Sequence, residues 1–344
     1  MDGFFVDYGG LNDFQRKHTA RQSTANDFVR AFEQLHPQPA DFPEAAGDSQ
    51  TMINEQSTAA VTAAGLVSAS HHDTTLKVNA MGSHYGQAEA ANTGAVTTLA
   101  KETDTGAAVT LAGGANWDEE PPVGPRGMSF AVQATSAISS LTGLLRATNL
   151  KRDPFYAFVG GSAAAGLNMV ATMIVVANTR DADVWEQRGY AAASLRDGLT
   201  EHAGAIRHAA DATGDHLRGD AGDAFRGFVT TDVVVPNKTL ADAAGEMALY
   251  SMAAAEAQRK FNNQIIAAAS VSMLLGTPAA YWLPPVQGAV AVWWLLYVLR
   301  CRRELKNDFA AAAAHLGRTA ALHDISHKLR GGSGTQAAPR TVTV

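Results

Sequence analysis

LRGDAGDAF, residues 217–225, sits between two long stretches whose apolar residues recur at helical spacing. Before it, residues 181–215 place Trp185, Tyr190, Leu195, Leu199 and Ile206 on one side of a helix. After it, residues 238–260 repeat the pattern with Leu240, Ala244, Met247, Leu249 and Met252. Gly219 tolerates the positive φ with which a chain leaves a helix, and Asp220 can cap the helix that follows. Ala221 and Ala224 are small enough for the arms to approach, and Leu217 and Phe225 fill the tip. The reading is a helical hairpin over 183–260.

Working back from this hairpin, a second one is expected over residues 1–102. Leu11, Phe14, His18, Ala25, Phe28, Val29 and Phe32 give a first helix over 8–36. HPQPADFPEAAGDS, with three prolines, breaks it. A second helix over 51–102 carries Ile53, Ala60, Ala64, Val67, Leu76, Ala80 and Val96. Short connections favour antiparallel neighbours. Residues 103–127, rich in Gly, Pro and small polar residues, read as a linker.

Residues 128–182 read as a hydrophobic helical segment, its charge-free part being 155–178. Residues 261–303 read as a hydrophobic helical hairpin turning at Pro284-Pro285, with no charge from 261 to 299. Trp293, Trp294 and Tyr297 precede Arg300, Arg302 and Arg303, as in an interfacial aromatic belt and basic stop. A span needs about 20 apolar residues, so 155–178 and 265–299 are both candidates for membrane insertion. Helices buried in a protein core also lack charge. A helix and flexible tail close the chain over 304–344.

The fold class is therefore all-α: antiparallel helical hairpins or a bundle, with hydrophobic helices suited to a membrane. Composition agrees, with 46% hydrophobic residues, 7% aromatic and 17% charged, much of the apolar share being Ala. Residues 1–100 hold five Lys/Arg against eleven Asp/Glu and so carry the whole net charge of −6. An acidic first segment without basic blocks argues against nucleic acid as a partner. The opening MDGFFVDYGG has no basic n-region and no long apolar run. Export, if it occurs, is expected by a route other than the general secretory one.

Two patterns carry a family resemblance. Gly219, Ala221, Ala224 and Phe225 match the turn of the WXG-type helical hairpins of type VII (ESX) secretion in actinobacteria, with Leu217 where those proteins have tryptophan. Tyr85 and Glu89, four apart on one helix face, resemble the Tyr-x-x-x-Asp/Glu export signal of the same substrates. Phe4-Phe5-Val6-Asp7 is similar to that family's opening. The resemblance covers residues 1–102 and 183–260. It implies a secreted or membrane-associated protein that pairs with another helical hairpin or is read by a secretion ATPase. A membrane-inserting, pore-type effector is the alternative.

Enzyme chemistry is not expected, and no cofactor or metal is. Gly160-Gly161 and Gly331-Gly332 lack the Lys-Ser/Thr of a phosphate loop. His71-His72-Asp73, His84, and the pair His323 and His327 have no Cys or Glu partner at a metal-site spacing. Cys301, beside three arginines, has no base partner, and at most it suits acylation next to a membrane. Residues 301–344 are too short to form a catalytic core. The sequence leaves open whether the two hairpins fold on each other. At about 3.3 Å per extended residue the linker allows it.

Overall fold

The computed structural model describes the backbone of residues 8–93, 154–217, 220–282 and 284–332, and side chains over 10–83, 166–214, 217, 222–271 and 288–331. It is all-helical, with no strand element among the described residues. The helices are α1 (Tyr8–Ala20), α2 (Gln22–Leu35), α3 (Gly47–Thr93), α4 (Pro154–Asn178), α5 (Ala182–His216), α6 (Asp220–Val229), α7 (Val235–Trp282), α8 (Pro284–Ala313) and α9 (Thr319–Gly332). Two single 3₁₀ turns, Pro39–Asp41 and Glu44–Ala46, lie between α2 and α3, where the prolines interrupt the helix. A wide helical turn, Thr230–Val234, joins α6 to α7.

The first hairpin is antiparallel. His36 Nδ1 meets Ser57 Oγ at 2.9 Å, Ser68 Oγ donates to Asn26 Oδ1 at 2.5 Å, and His18 Nε2 donates to the His71 carbonyl at 3.1 Å. Its first arm is two helices with a corner at Arg21, whose N–H bonds the His18 carbonyl at 3.0 Å. The second hairpin is antiparallel too. Asp183 pairs with Arg259, Gly189 faces Met252, Gly245 faces Arg196 and Gly214 faces Arg226.

The two hairpins fold on each other, which the sequence left open. Gln56 donates to Glu246 at 3.1 Å, the Ser70 hydroxyl to the Asp232 carbonyl at 3.3 Å and the Thr213 hydroxyl to the Gly10 carbonyl at 3.3 Å. The shared core is rich in alanine: Ala59, Ala60, Ala63 and Ala64 of α3, and Ala243, Ala244, Ala254 and Ala255 of α7, are buried in one cluster. The aromatic anchor at the Asp41 end is Trp185. It lies edge-on to Phe42, Tyr250 and Phe309, with centroids 5.0, 5.7 and 6.1 Å away. Its indole N–H donates to the Asp41 carbonyl at 3.3 Å.

Below this bundle, α4, the far half of α7 and α8 form a second layer. Asn178 is the joint. It accepts from the Ala45 N–H at 2.8 Å, and its own carbonyl accepts from Gln258 at 3.0 Å. Gln264 to Glu304 and Lys260 to Asp308 set α7 and α8 antiparallel. Glu246 caps α9, accepting the N–H groups of Gly317 and Arg318 at 2.8 and 3.0 Å.

Several expectations need correction. Helix α7 runs unbroken through 260–261 and ends at Trp282, and α8 begins at Pro284 and runs unbroken through 303–304. No helix among the described residues is long and apolar enough to cross a membrane. Ala171, Val175, Ala268, Ala269, Trp294 and Val298 pack into the protein's own core. Tyr190, Leu249, Leu76 and Ala80 were expected to be buried but are exposed. In α3 the buried stripe instead continues through polar residues, Ser68, His71 and Thr74, before Val78.

The alanine seam gives a stability prediction. Ala244→Leu on α7, at a site closed to solvent, is expected to cost about 1–3 kcal/mol through overpacking. Ala310→Leu on the exposed face of α8 is expected to stay within about 0.5 kcal/mol. Urea unfolding of the two variants measures the contrast.

Candidate interaction site at the end of the bundle

Helix α5 ends at His216, and Leu217 leaves it extended, with φ −100° and ψ 120°. Leu217 turns inward and is buried with Phe225, Leu11, Phe14, Val78, Val229 and Val233. The close approach at this turn is made by glycine. A Cβ on Gly222 would lie 2.7 Å from the Gly214 carbonyl oxygen and 2.8 Å from that of Leu217. The expectation for Ala224 is corrected, since it faces solvent. Gly219 lies outside the described residues, and Ala221 is placed on α6 by backbone alone.

Val78 belongs to this same cluster, and α3 continues beyond it to Thr93. Tyr85 and Glu89 therefore occupy the last turns of α3, at the end of the bundle that holds the Leu217 turn. Their side chains lie outside the described residues, as does that of His84. At about 1.5 Å per residue, Tyr85 is roughly 10 Å along the axis from Val78. Gly10 of α1 also sits here, bonded to Thr213.

Behind the tip, rings run in a column through the bundle. Phe225 meets Phe14 edge-on at 5.1 Å, and Phe14 stacks on His18 at 5.4 Å. His18 stacks on His71 at 4.8 Å, His71 meets His202 at 5.1 Å, and His202 meets Phe28 edge-on at 5.3 Å. His18 comes from α1, His71 from α3 and His202 from α5. Helix α7 supplies Asn237, which donates to His71 Nε2 at 3.2 Å and to the Val233 carbonyl at 2.8 Å. The neutral His71 ring therefore carries its proton at Nδ1. His18 Nδ1, His71 Nδ1 and His202 Nε2 are buried without a hydrogen-bond partner.

Burial drives these imidazoles towards the neutral form. It lowers the pKa of His71 to about 2, with the like charges of His18 and His202 adding to the effect. It lowers His202 to about 4, with Arg21 and His18 adding. His18 is also lowered by burial and by Arg21, against the opposing hydrogen bond to the His71 carbonyl. Sequence reading placed His18 on the core stripe and noticed His71, but it missed His202 and Asn237. Their signal was spacing, since His202 follows Leu199 by three residues on a buried face.

The residues expected at a membrane interface separate. Trp294 is 3% exposed and lies in the core, whereas Trp293 is 40% exposed and lies against Tyr297. Arg300 pairs with Glu304 at 2.9 Å and Arg302 with Glu44 at 3.1 Å, while Arg303 is exposed. Cys301 is buried, which raises its thiol pKa and closes it to acylation. Among the described residues no three or more His, Cys, Asp or Glu are arranged to hold a metal ion. Comparison with protein-family profiles, with curated proteins and with solved structures finds no match.

The turn yields a prediction. Gly222→Ala drives a methyl against backbone carbonyls that cannot swing away, and a loss above about 1 kcal/mol is expected. Gly227→Ala, on the same helix with open space around it, is expected to be neutral or to stabilise by up to about 1 kcal/mol. Thermal unfolding of both variants checks the difference.

Proposed function

We propose that this chain works by helix pairing and not by catalysis, as a type VII secretion substrate or a membrane-associated partner of that machinery. One observation carries the reading. The Leu217–Phe225 turn and the α3 turns bearing Tyr85 and Glu89, more than 120 residues apart in sequence, converge at one end of the bundle. A recognition surface assembled from two hairpins is displayed only when both have folded together. Tyr85 and Glu89, with the neighbouring turn, are the features a secretion ATPase or a second helical hairpin would read.

A membrane role fits the opposite layer. Met169, Val170, Met173 and Val176 on α4 and Val292, Trp293, Leu296 and Leu299 on α8 are exposed, each set spaced along one helix face. This arrangement favours contact with a membrane surface over a pore, because the described helices do not meet the requirement for crossing. The location proposed is the cell membrane or the outside of the cell.

Tyr85→Ala is expected to abolish appearance of the tagged protein in the culture filtrate of a host with a working type VII system. Folded stability should change by less than about 0.5 kcal/mol, since the position lies on the last turns of a helix. Export at the parental level in the variant removes the signal assignment. Equal amounts in the filtrate with the system disabled remove the substrate reading. Full release by alkaline carbonate is compatible with surface contact and rules out the pore alternative.

A further inference from the structure

The histidine column has no part in the proposed recognition. It sits where helices of the first hairpin meet α5 and α7. Each ring packs on a ring from another helix, and three ring nitrogens face the interior without a partner. A neutral imidazole suits this site. An imidazolium there would need a carboxylate or water, and a second one would lie about 5 Å from the first. We propose that His18, His71 and His202 form an acid-sensitive latch between the two hairpins, whose protonation parts this end of the bundle.

The charged surroundings favour release over accommodation. Lys17 on α1, His72 and Asp73 on α3, Glu201 on α5 and Lys238 on α7 are exposed. Asp73 is already paired with Lys77. Asp232, in the wide turn, is half-buried, and its backbone carbonyl takes the Ser70 hydroxyl. Arg21, at the α1–α2 corner, is the charge whose field reaches His18 and His202, and it opposes their protonation. A proton entering the column therefore gains most by moving the hairpins apart until water reaches the rings.

The sign follows from linkage. The closed bundle binds fewer protons than the open one below the ordinary imidazole range. The closed state is therefore fully favoured above about pH 6.5 and loses ground as pH falls, down to the lowered values of His202 and His71. The transition is local, because the column touches one end of the bundle and leaves the Trp185 anchor and the α7–α8 layer intact.

Hydrogen exchange of the full chain between pH 7.5 and 4.5, corrected for intrinsic rates, tests this. Segments 11–25, 68–78 and 199–210 are expected to open more than about tenfold per pH unit below 6.5, the limit for a single group. Segments 254–269 and 298–312 should lag behind. His202→Phe keeps a ring against Phe28 and gives up a nitrogen that has no partner. It should reduce the dependence by about tenfold per pH unit. Equal slopes in variant and parent, or opening spread evenly along the chain, overturn the latch. If the variant does not fold, imidazole NMR of the parent decides. The proposal expects three of the eleven histidines to stay neutral to about pH 5 and then titrate together with opening. Three independent titrations near 6.5 overturn it.

Discussion

Everything in this molecule depends on helices lying close enough for alanine to serve as core. A buried methyl group contributes little, about 0.8 kcal/mol on the transfer scale, so an alanine seam must be long to offset the entropy of ordering it. That explains helices of 47, 35 and 48 residues in α3, α5 and α7. Close approach also leaves little room for large side chains along the seam. Buried aromatic rings meet one another in two places: Trp185 with Phe42, Tyr250 and Phe309 at one, and the Phe225-to-Phe28 column at the other.

Alanine faces are nearly featureless, and a featureless seam can slip. The polar bonds across it fix the register. Gln56 to Glu246, Ser70 to Asp232, Asn237 to His71 and Thr213 to Gly10 each join the first hairpin to the second at a single longitudinal position. A slide by one turn would break all four, and for the buried Asn237–His71 pair the unpaired atoms would cost about 1–3 kcal/mol each. Glu246 also receives Gly317 and Arg318, so the same carboxylate ties α9 to that register.

How far the sequence could be read follows from this chemistry. Helices and hairpins were legible because Leu11, Phe14, Leu195, Leu199 and Leu240 mark their faces with apolar side chains at the right interval. The phase was lost in α3 after Val67, where the buried positions are Ser68, His71 and Thr74 and the apolar Leu76 points outward. Apolar spacing is silent where polar pairing replaces burial. Leu217 and Phe225, expected at the tip from their apolar character, are buried in one cluster. The sequence assigns the close contact to Ala221 and Ala224, because nothing in it says that Gly214 and Gly222 face each other. The corner at Arg21 was invisible for a similar reason: the apolar stripe passes through it without a break.

The charge-free segments show why absence of charge is a weak discriminator. In α8, Ala291, Trp294, Val298 and Cys301 face the core, while Val292, Trp293, Leu296 and Leu299 face outward. Both faces are apolar, so the sequence looks uniform although the two environments differ. A spanning helix would meet lipid on most of its circumference; here α4, α7 and α8 each give one face to the others. The layer is joined to the bundle through Asn178, whose side chain and carbonyl bond Ala45, Ile174 and Gln258 while the residue is wholly buried. An apolar surface mounted on such a joint keeps its orientation relative to the Leu217 end. One end of the molecule can then lie against an apolar surface while the other remains in water.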